Sequence, residues 1–315
     1  MSRYVDLLTD FSFKRIFGVN KDLLLSLLNA IFDRQKVITD ISWNKNESPG
    51  DIEEIGGVIF DLLCTGKDGE QFLIEVQRSN QGNLKQRMLY YASRLISDMA
   101  PKGKRKEWNY NIKAVYVIVL MDGFCLTDSP SDIFLHNICL SYKETNKIFY
   151  DGFNFIYIEL PKFIKNENVI QTYLDRWIYA LKNTHKLEDV PKGLQEPIFQ
   201  KLFEVAEYSN LNKEDKKMYD VELKRKWDNA NVLAYAKENA RNEGLQEGRN
   251  EGLKEGRTEG RTEGRKEGRK EGNYEARKDL ISKFLKSGKI TAEEIALITE
   301  EPLENILKIK NELSE

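Results

Sequence analysis

Histidine and cysteine are scarce in this sequence of 315 residues, which has two histidines and three cysteines. The two histidines, His136 and His185, are far apart and exclude a histidine-rich metal site. Cys64, Cys125 and Cys139 have no CxxC spacing, so they favour neither a disulfide framework nor a zinc site. Unpaired cysteines are typical of a reducing compartment, and we therefore expect a cytoplasmic protein.

Long apolar segments are also absent. The longest, residues 114–121, is far shorter than the roughly 20 residues that cross a bilayer. The N-terminus carries Asp6 and lacks the apolar core of a signal peptide. We expect no membrane association.

Hydrophobic periodicity predicts an α/β domain in the first part of the chain, a mixed sheet flanked by helices. Gly66-Lys67-Asp68-Gly69 is a strong hairpin turn, and the apolar run 114–121 is typical of a strand buried on both faces. The other strands are expected at residues 37–43, 57–65, 71–77, 134–142 and 153–160. Helices are expected within residues 1–35 and at about residues 83–99 and 169–182.

We divide the chain into four parts. The α/β domain covers residues 1–185, and a helical extension covers residues 186–242. A repeat of Glu-Gly-x-x follows at residues 243–272, and a small unit of three short helices occupies residues 273–315. The last unit is similar to a helix-turn-helix, but glutamates replace the basic face that reads DNA, so it favours packing or oligomerisation.

Along a helix, the glutamates of the repeat form one column and the glycines form another. The third position, which is arginine in most repeats and leucine in the others, forms a further column. Each glycine inside a helix costs about 1 kcal/mol relative to alanine, and stacked glutamates repel each other. The segment is therefore either a solvated connector helix or a self-association element in which the glycine column lets a second copy approach. Direct contact with DNA is the weaker interpretation, because the charges nearly cancel.

The candidate chemistry lies in the predicted hairpin. Strand alternation places Glu75 and Gln77 on one face and the apolar side chains between them on the core face. Closure at the glycine turn puts Asp61 across from position 74 or 75, and a bulge or twist brings it beside Glu75. Two adjacent carboxylates repel unless a cation separates them, and Mg²⁺ is the simplest choice. A pair of solvent-facing strand carboxylates is the alternative.

Neither sign of charge is in large excess over the whole chain, since 49 Lys+Arg oppose 51 Asp+Glu and leave a formal net charge of -2. The charges are nevertheless segregated. Residues 40–70 have eight acidic and two basic residues, and residues 83–113 have eight basic and two acidic residues. An acidic metal-binding hairpin beside a basic helix and loop suits an enzyme that cleaves a nucleic-acid backbone. A basic loop that only keeps the protein soluble would have the same composition.

Three motifs occur in order along the chain. They are DxxFKxxFG from Asp10 to Gly18, Asp61 followed by Ile74-Glu75-Val76-Gln77, and Arg87-Met-Leu-Tyr90-Tyr91. Together they resemble the recombination-promoting nuclease (Rpn) and transposase family of the PD-(D/E)xK phosphodiesterase superfamily. The similarity covers about residues 1–300, because a Glu-Gly repeat and a short helical end also recur in such proteins.

The resemblance implies a restriction-endonuclease-like core of order α-β-β-β-α-β in residues 1–185. It implies that Asp61 and Glu75 hold Mg²⁺, or Mn²⁺ or Ca²⁺, and that metal-activated water cuts DNA. The third superfamily position is normally lysine and is Gln77 here, as in the narrower family. A neutral amide can orient water but cannot stabilise developing charge as an ammonium can. Lys14 or Lys85 is the candidate for that charge.

The resemblance also implies supporting residues. Gln86 and Tyr90 are similar to the QxxxY helix of exonuclease-like relatives, and Tyr91 follows, although simple packing also explains the tyrosines. Asp10 supports Lys14, or the two form only an intrahelical pair. The candidate DNA-binding residues are Lys85, Arg87, Arg94, Lys102, Lys104, Arg105 and Lys106.

The sequence thus predicts a metal-dependent DNA endonuclease that supports recombination or transposition. The alternatives are a non-catalytic DNA-binding or oligomerising protein with a decayed site, and an RNase-H-like transposase that uses Asp61 and Asp122. The expected partners are DNA and a second copy bound through the C-terminal helices. In similar proteins a short C-terminal product is thought to restrain the nuclease, and Met218 is a candidate start for one here.

Overall fold

The computed structural model describes residues 3–45, 47–48, 58–100 and 109–313. The chain divides into two compact units, residues 1–228 and residues 229–315. The first unit contains all the described strands and most of the helices. In the second, the described regular elements are all helices.

The described strands are numbered β1 to β8 in chain order. Their bounds are β1 (Ile41–Trp43), β2 (Glu47–Ser48), β3 (Val58–Ile59), β4 (Leu62–Gly66), β5 (Gln71–Gln77), β6 (Val115–Met121), β7 (Leu135–Ser141) and β8 (Ile148–Glu159). The helices are α1 (Asp10–Phe17), α2 (Lys21–Phe32), α3 (Leu84–Asp98), α4 (Tyr173–Asn183), α5 (Pro197–Ala206), α6 (Lys213–Ser287), α7 (Ala292–Thr299) and α8 (Leu303–Glu312).

Six strands form one mixed sheet in the order β1-β4-β5-β6-β8-β7, and β2 pairs with β3 separately. Strands β5, β6 and β8 are parallel, whereas β1, β4 and β7 join antiparallel. The apolar run of the sequence becomes β6, which is paired on both sides at the centre of the sheet. This mixed sheet with flanking helices confirms the predicted α/β class.

Helices cover both faces of the sheet. Phe72 and Ile74 of β5 pack in the larger cluster with α1, α2, α4 and α5. Leu73 faces the other way and is fully buried against Met88 and Ala92 of α3. The face of Glu75 is therefore also covered, which corrects the expectation of a single core face. Both faces of a sheet with parallel central strands are normally covered, because the crossover connections between those strands carry helices onto the faces.

Three strand boundaries differ from the predictions. The first strand begins only at Ile41, and the expected strand at residues 57–65 is interrupted at Phe60 and Asp61. The last strand begins earlier, at Ile148, because it continues into a hairpin with β7. At the interruption, the side chain of Asp61 accepts a hydrogen bond from the main-chain N–H of Val76 in the neighbouring strand β5.

The Glu-Gly repeat is helical and lies within α6, a helix of 75 residues. Its side chains are exposed, and a Cβ built on any repeat glycine meets nothing within 4 Å. The end of α6 packs with α7 and α8 around Ile281, Ile295 and Ile306. A capping box is present at Thr291 and Glu294, at the start of α7. None of the helices in the described part of the chain is long and apolar enough to span a membrane.

A buried ion cluster anchors the N-terminal segment. Asp6 is 1% exposed, and its Oδ2 accepts from Arg78 and from Lys226, each at 2.8 Å. Burial opposes the charge of this carboxylate, but Arg78 and Lys226 prevail and lower the pKa of Asp6 to about 2. The cluster therefore connects the N-terminus to the end of β5 and to the beginning of α6.

Asp6→Asn should lower the free energy of unfolding by about 3 kcal/mol at neutral pH, because it leaves two partly buried cations without their carboxylate. The pKa of Asp6 is lowered on folding, so its stabilisation is complete above about pH 4 and lost as the pH falls towards 2. Urea unfolding across this range should show the wild-type advantage shrinking in acid. Asp189→Asn, which breaks an exposed ion pair with Arg3, is the control and should change little. A difference independent of pH would contradict the assignment.

Candidate active site

Asp61 and Glu75 are fixed beside each other by the main chain. The register of β4 and β5 pairs Leu62 with Ile74, so Asp61, one residue earlier, faces Glu75 without continuing the strand. The Asp61 N–H donates to Glu75 Oε1 at 3.1 Å, and the Val76 N–H donates to Asp61 Oδ2 at 2.8 Å. Each carboxylate therefore has one oxygen held by a backbone amide and one directed towards other side chains.

The pair is buried at unequal depth. Glu75 is 4% exposed, whereas the side chain of Asp61 is 21% exposed. Burial raises the pKa of both carboxyl groups, and the charge of Asp61 adds to this effect to raise the pKa of Glu75 to about 8. The fold thus maintains two carboxylates that oppose each other's ionisation, an arrangement that a bound cation would relieve.

Gln77 connects this pair to helix α3. Its Nε2 donates to Glu75 Oε2 at 3.3 Å, and its Oε1 accepts from Nη2 of Arg87. The other terminal nitrogen of Arg87 donates to Gln81 Oε1, and the guanidinium lies 5.9 Å from the centre of the Tyr91 ring. Glu75, Gln77 and Arg87 therefore form a continuous chain of polar contacts.

Lys14 of α1 approaches from the other direction. Its Nζ lies 2.6 Å from Asp10 Oδ1 and 3.6 Å from Asp61 Oδ1. Burial opposes its charge, but Asp10 and Asp61 prevail and raise the pKa of Lys14. Asp10 and Lys14 form the expected intrahelical pair, and the pair also borders the site.

The predicted helix residues Gln86 and Tyr90 are both exposed. The neighbouring positions Arg87 and Tyr91, one helical turn apart, face the site instead. Tyr91 packs edge-on against Phe60, with ring centres 5.4 Å apart. Position 87 and position 91, not the expected positions 86 and 90, thus contact the site residues, because the rotation of α3 is set by the packing of its apolar stripe on the sheet. The four-residue spacing of Arg87 and Tyr91 was the signal in the sequence.

The candidate DNA-binding residues have different surroundings. Lys85 is exposed, and its Nζ lies 2.7 Å from Asp128 Oδ2. Arg94 is 8% exposed and lies against Asp98, and these surroundings do not favour the contact with a DNA phosphate that the sequence predicts. The predicted contacts Lys102, Lys104, Arg105 and Lys106 lie outside the described residues.

Asp122 follows β6, on the opposite side of β5 from Asp61 and β4. Its N–H donates to the Gln77 carbonyl at 2.8 Å, and its carboxylate lies 3.3 Å from Arg78. It therefore belongs to the ion cluster around Asp6. The alternative site made of Asp61 and Asp122 gains no support from these contacts.

The donor set fits a hard divalent cation. Within residues 3–45, 47–48, 58–100 and 109–313, no group of three or more His, Cys, Asp or Glu side chains could hold a metal ion. Mg²⁺, however, is commonly held by one or two carboxylates and completed by water and substrate phosphate oxygens. Asp61 and Glu75 supply two such oxygen donors, and their raised pKa values indicate that a cation would be favourable between them.

Residues 7–236 match the sequence model of a family described as PD-(D/E)XK nuclease family transposase. The matched segment contains the whole sheet together with Lys14, Asp61, Glu75, Gln77 and Arg87. Neither the curated proteins nor the solved structures include a significant match.

Proposed function

Because the chain belongs to the PD-(D/E)XK nuclease family transposases, we propose that it is a metal-dependent DNA endonuclease that serves recombination or transposition. One observation carries the proposal. The buried carboxylate of Glu75 and the partly buried carboxylate of Asp61 are held together by main-chain hydrogen bonds although their charges repel. Maintaining such a pair is unfavourable for stability, and a metal site is the function that requires it.

In this proposal Asp61 and Glu75 hold Mg²⁺ or Mn²⁺. A bound ion would supply Lewis acidity at the scissile phosphate and a water of lowered pKa. The Gln77 amide, which donates to Glu75 Oε2, lies where it would orient such a water. Lys14 remains protonated next to Asp61 and places positive charge at the exposed side of the pair.

DNA is the proposed substrate, bound in part through the basic segment that follows α3. Lys85 would contribute to binding once its pair with Asp128 exchanges for a phosphate, a small cost because both groups are exposed. The unpaired cysteines suit the cytoplasm, where we place the reaction.

We also propose that the C-terminal helices join two copies of the chain. A short product beginning near Met218, which is exposed within α6, would share this helical part and bind in the same way. Sedimentation velocity of the full chain tests the first statement, and an immunoblot against a C-terminal tag tests the second. A monomer in sedimentation would contradict the joining of two copies. A single full-length band would contradict the short product.

The proposed function is tested by incubating the purified full chain with supercoiled plasmid and with an RNA of defined length. We expect nicked or linear DNA with Mg²⁺ or Mn²⁺, intact DNA in EDTA, and little cleavage of RNA. DNA that stays intact across a series of Mg²⁺, Mn²⁺ and Ca²⁺ concentrations would favour the alternative of a non-catalytic DNA-binding protein.

A further inference from the structure

Gln77 occupies the position at which a lysine would provide positive charge. The guanidinium of Arg87, which is positively charged, donates directly to the Gln77 side chain. We propose that Arg87 is a positioning residue of this site, which sets the direction of the Gln77 amide and supplies the charge that Gln77 lacks. The inference rests on the proposed function, because it concerns the same reaction. It gives Arg87 a role inside the site in place of the DNA contact expected from the sequence.

The direction of the amide follows from the chemistry of the two side chains. An amide has a donor end and an acceptor end, whereas a guanidinium has only donors. Arg87 can therefore engage only the oxygen of Gln77, and this turns the amide nitrogen towards Glu75 Oε2, 3.3 Å away. In the reverse orientation, the Gln77 amide nitrogen would face the Arg87 guanidinium, so that two donors meet. The Gln77 oxygen would face Glu75 Oε2, so that two acceptors meet. Arg87 thus selects one of the two orientations.

Arg87 is itself held in place from several sides. Gln81 accepts from its second terminal nitrogen, and the Tyr91 ring lies beneath the guanidinium. Its Nε is buried and has no hydrogen-bond partner in the described part of the chain. A buried unpaired donor costs about 1–3 kcal/mol, so stability alone does not account for this placement. A role in the site accounts for it.

The charge of Arg87 acts on the same groups. The Arg87 guanidinium donates to the Gln77 oxygen, and the Gln77 amide nitrogen donates to Glu75 Oε2. A positive charge therefore lies one residue away from the carboxylate pair. A lysine at position 77 would supply this charge from within the strand. Here the task is divided: Gln77 provides the hydrogen bond, and Arg87 provides the charge from α3.

The first test compares Arg87→Met with wild type in steady-state cleavage of DNA with Mg²⁺. We expect kcat to fall about 10²–10³-fold with KM little changed, because Arg87 acts through Gln77 and does not touch the substrate. Arg87→Lys retains the charge but cannot contact both glutamines, so it should recover only part of the loss. Arg176→Met, which removes an arginine from the surface of α4, is the matched control and should keep wild-type kcat.

The second test introduces the lysine. In wild type, Gln77→Lys places an ammonium against the Arg87 guanidinium and should lower kcat. In the Arg87→Met background the same change restores the missing charge, and kcat should rise at least about tenfold above that of Arg87→Met alone. This reversal of sign is not expected if Arg87 only stabilises the fold. Thermal unfolding of each variant separates loss of activity from loss of structure.

Three results would overturn the inference. Arg87→Met could raise KM at constant kcat, which would make Arg87 a direct DNA contact. Gln77→Lys could fail to improve Arg87→Met, or Arg87→Met could cleave as wild type does. If Asp61→Asn is inactive in the same assay, each of these results leaves the proposed function intact. If Asp61→Asn is fully active, the proposed function itself fails.

Discussion

Asp61→Asn and Glu75→Gln should each lower DNA cleavage by about 10³-fold or more and yet leave the protein folded. Each substitution removes one of the two oxygen donors proposed for the metal. Each keeps the shape and the acceptor oxygen that the main-chain amides require. The measurement is plasmid cleavage with Mg²⁺ at equal protein concentration. Either variant cleaving at the wild-type rate would show that the pair is not the catalytic site.

Glu75→Gln should also make the metal-free protein more stable. The folded-state pKa of Glu75 is raised to about 8, so ionising it costs stability as the pH rises from about 4.5 to about 8. The uncharged variant avoids this cost. Urea unfolding in EDTA should therefore show wild type losing stability over this range relative to Glu75→Gln.

Glu70→Gln is the matched control for this stability measurement. Glu70 is also buried, but main-chain amides and the ammonium of Lys36 outweigh burial and lower its pKa. The same substitution should therefore destabilise the protein here, with the opposite sign. If both variants are destabilised alike, the carboxylates of Asp61 and Glu75 do not repel each other as the geometry indicates.

Divalent metal should stabilise the wild-type protein and not Asp61→Asn. A ligand that binds only the folded state stabilises it by about 2.7 kcal/mol at a concentration one hundred times its Kd. The effect should be large here because a cation between Asp61 and Glu75 also removes their repulsion. Thermal unfolding in a Mn²⁺ or Mg²⁺ titration, with KCl at matched ionic strength as the control, measures it.

The same titration separates an active site from a decayed one. A decayed site would give no metal-dependent shift, and calorimetry with DNA present would detect no Mg²⁺ or Mn²⁺ binding. A shift of equal size in wild type and Asp61→Asn would place the metal elsewhere in the protein.

Local sequence determined the elements whose signals are short-range. The glycine turn after Thr65 and the continuous apolar run of β6 each follow from a few neighbouring residues. The capping box at Thr291 is equally local. Strand alternation also placed Glu75 and Gln77 on one face, because side chains of a strand point to opposite sides in turn. Three short motifs, which begin at Asp10, Asp61 and Arg87, carry the family resemblance. The match over residues 7–236 confirms it.

Only the tertiary structure decided which side chains meet across elements. Periodicity along α3 does not say how the helix is rotated on the sheet, and packing turned Arg87 and Tyr91, not Gln86 and Tyr90, towards Glu75. The same packing buried Arg94, which composition alone had counted as surface charge. Lys14 reaches Asp61 only because α1 docks beside the interrupted strand. These contacts join residues distant in sequence, and their geometry is set by the packing of the whole core, which no local pattern contains.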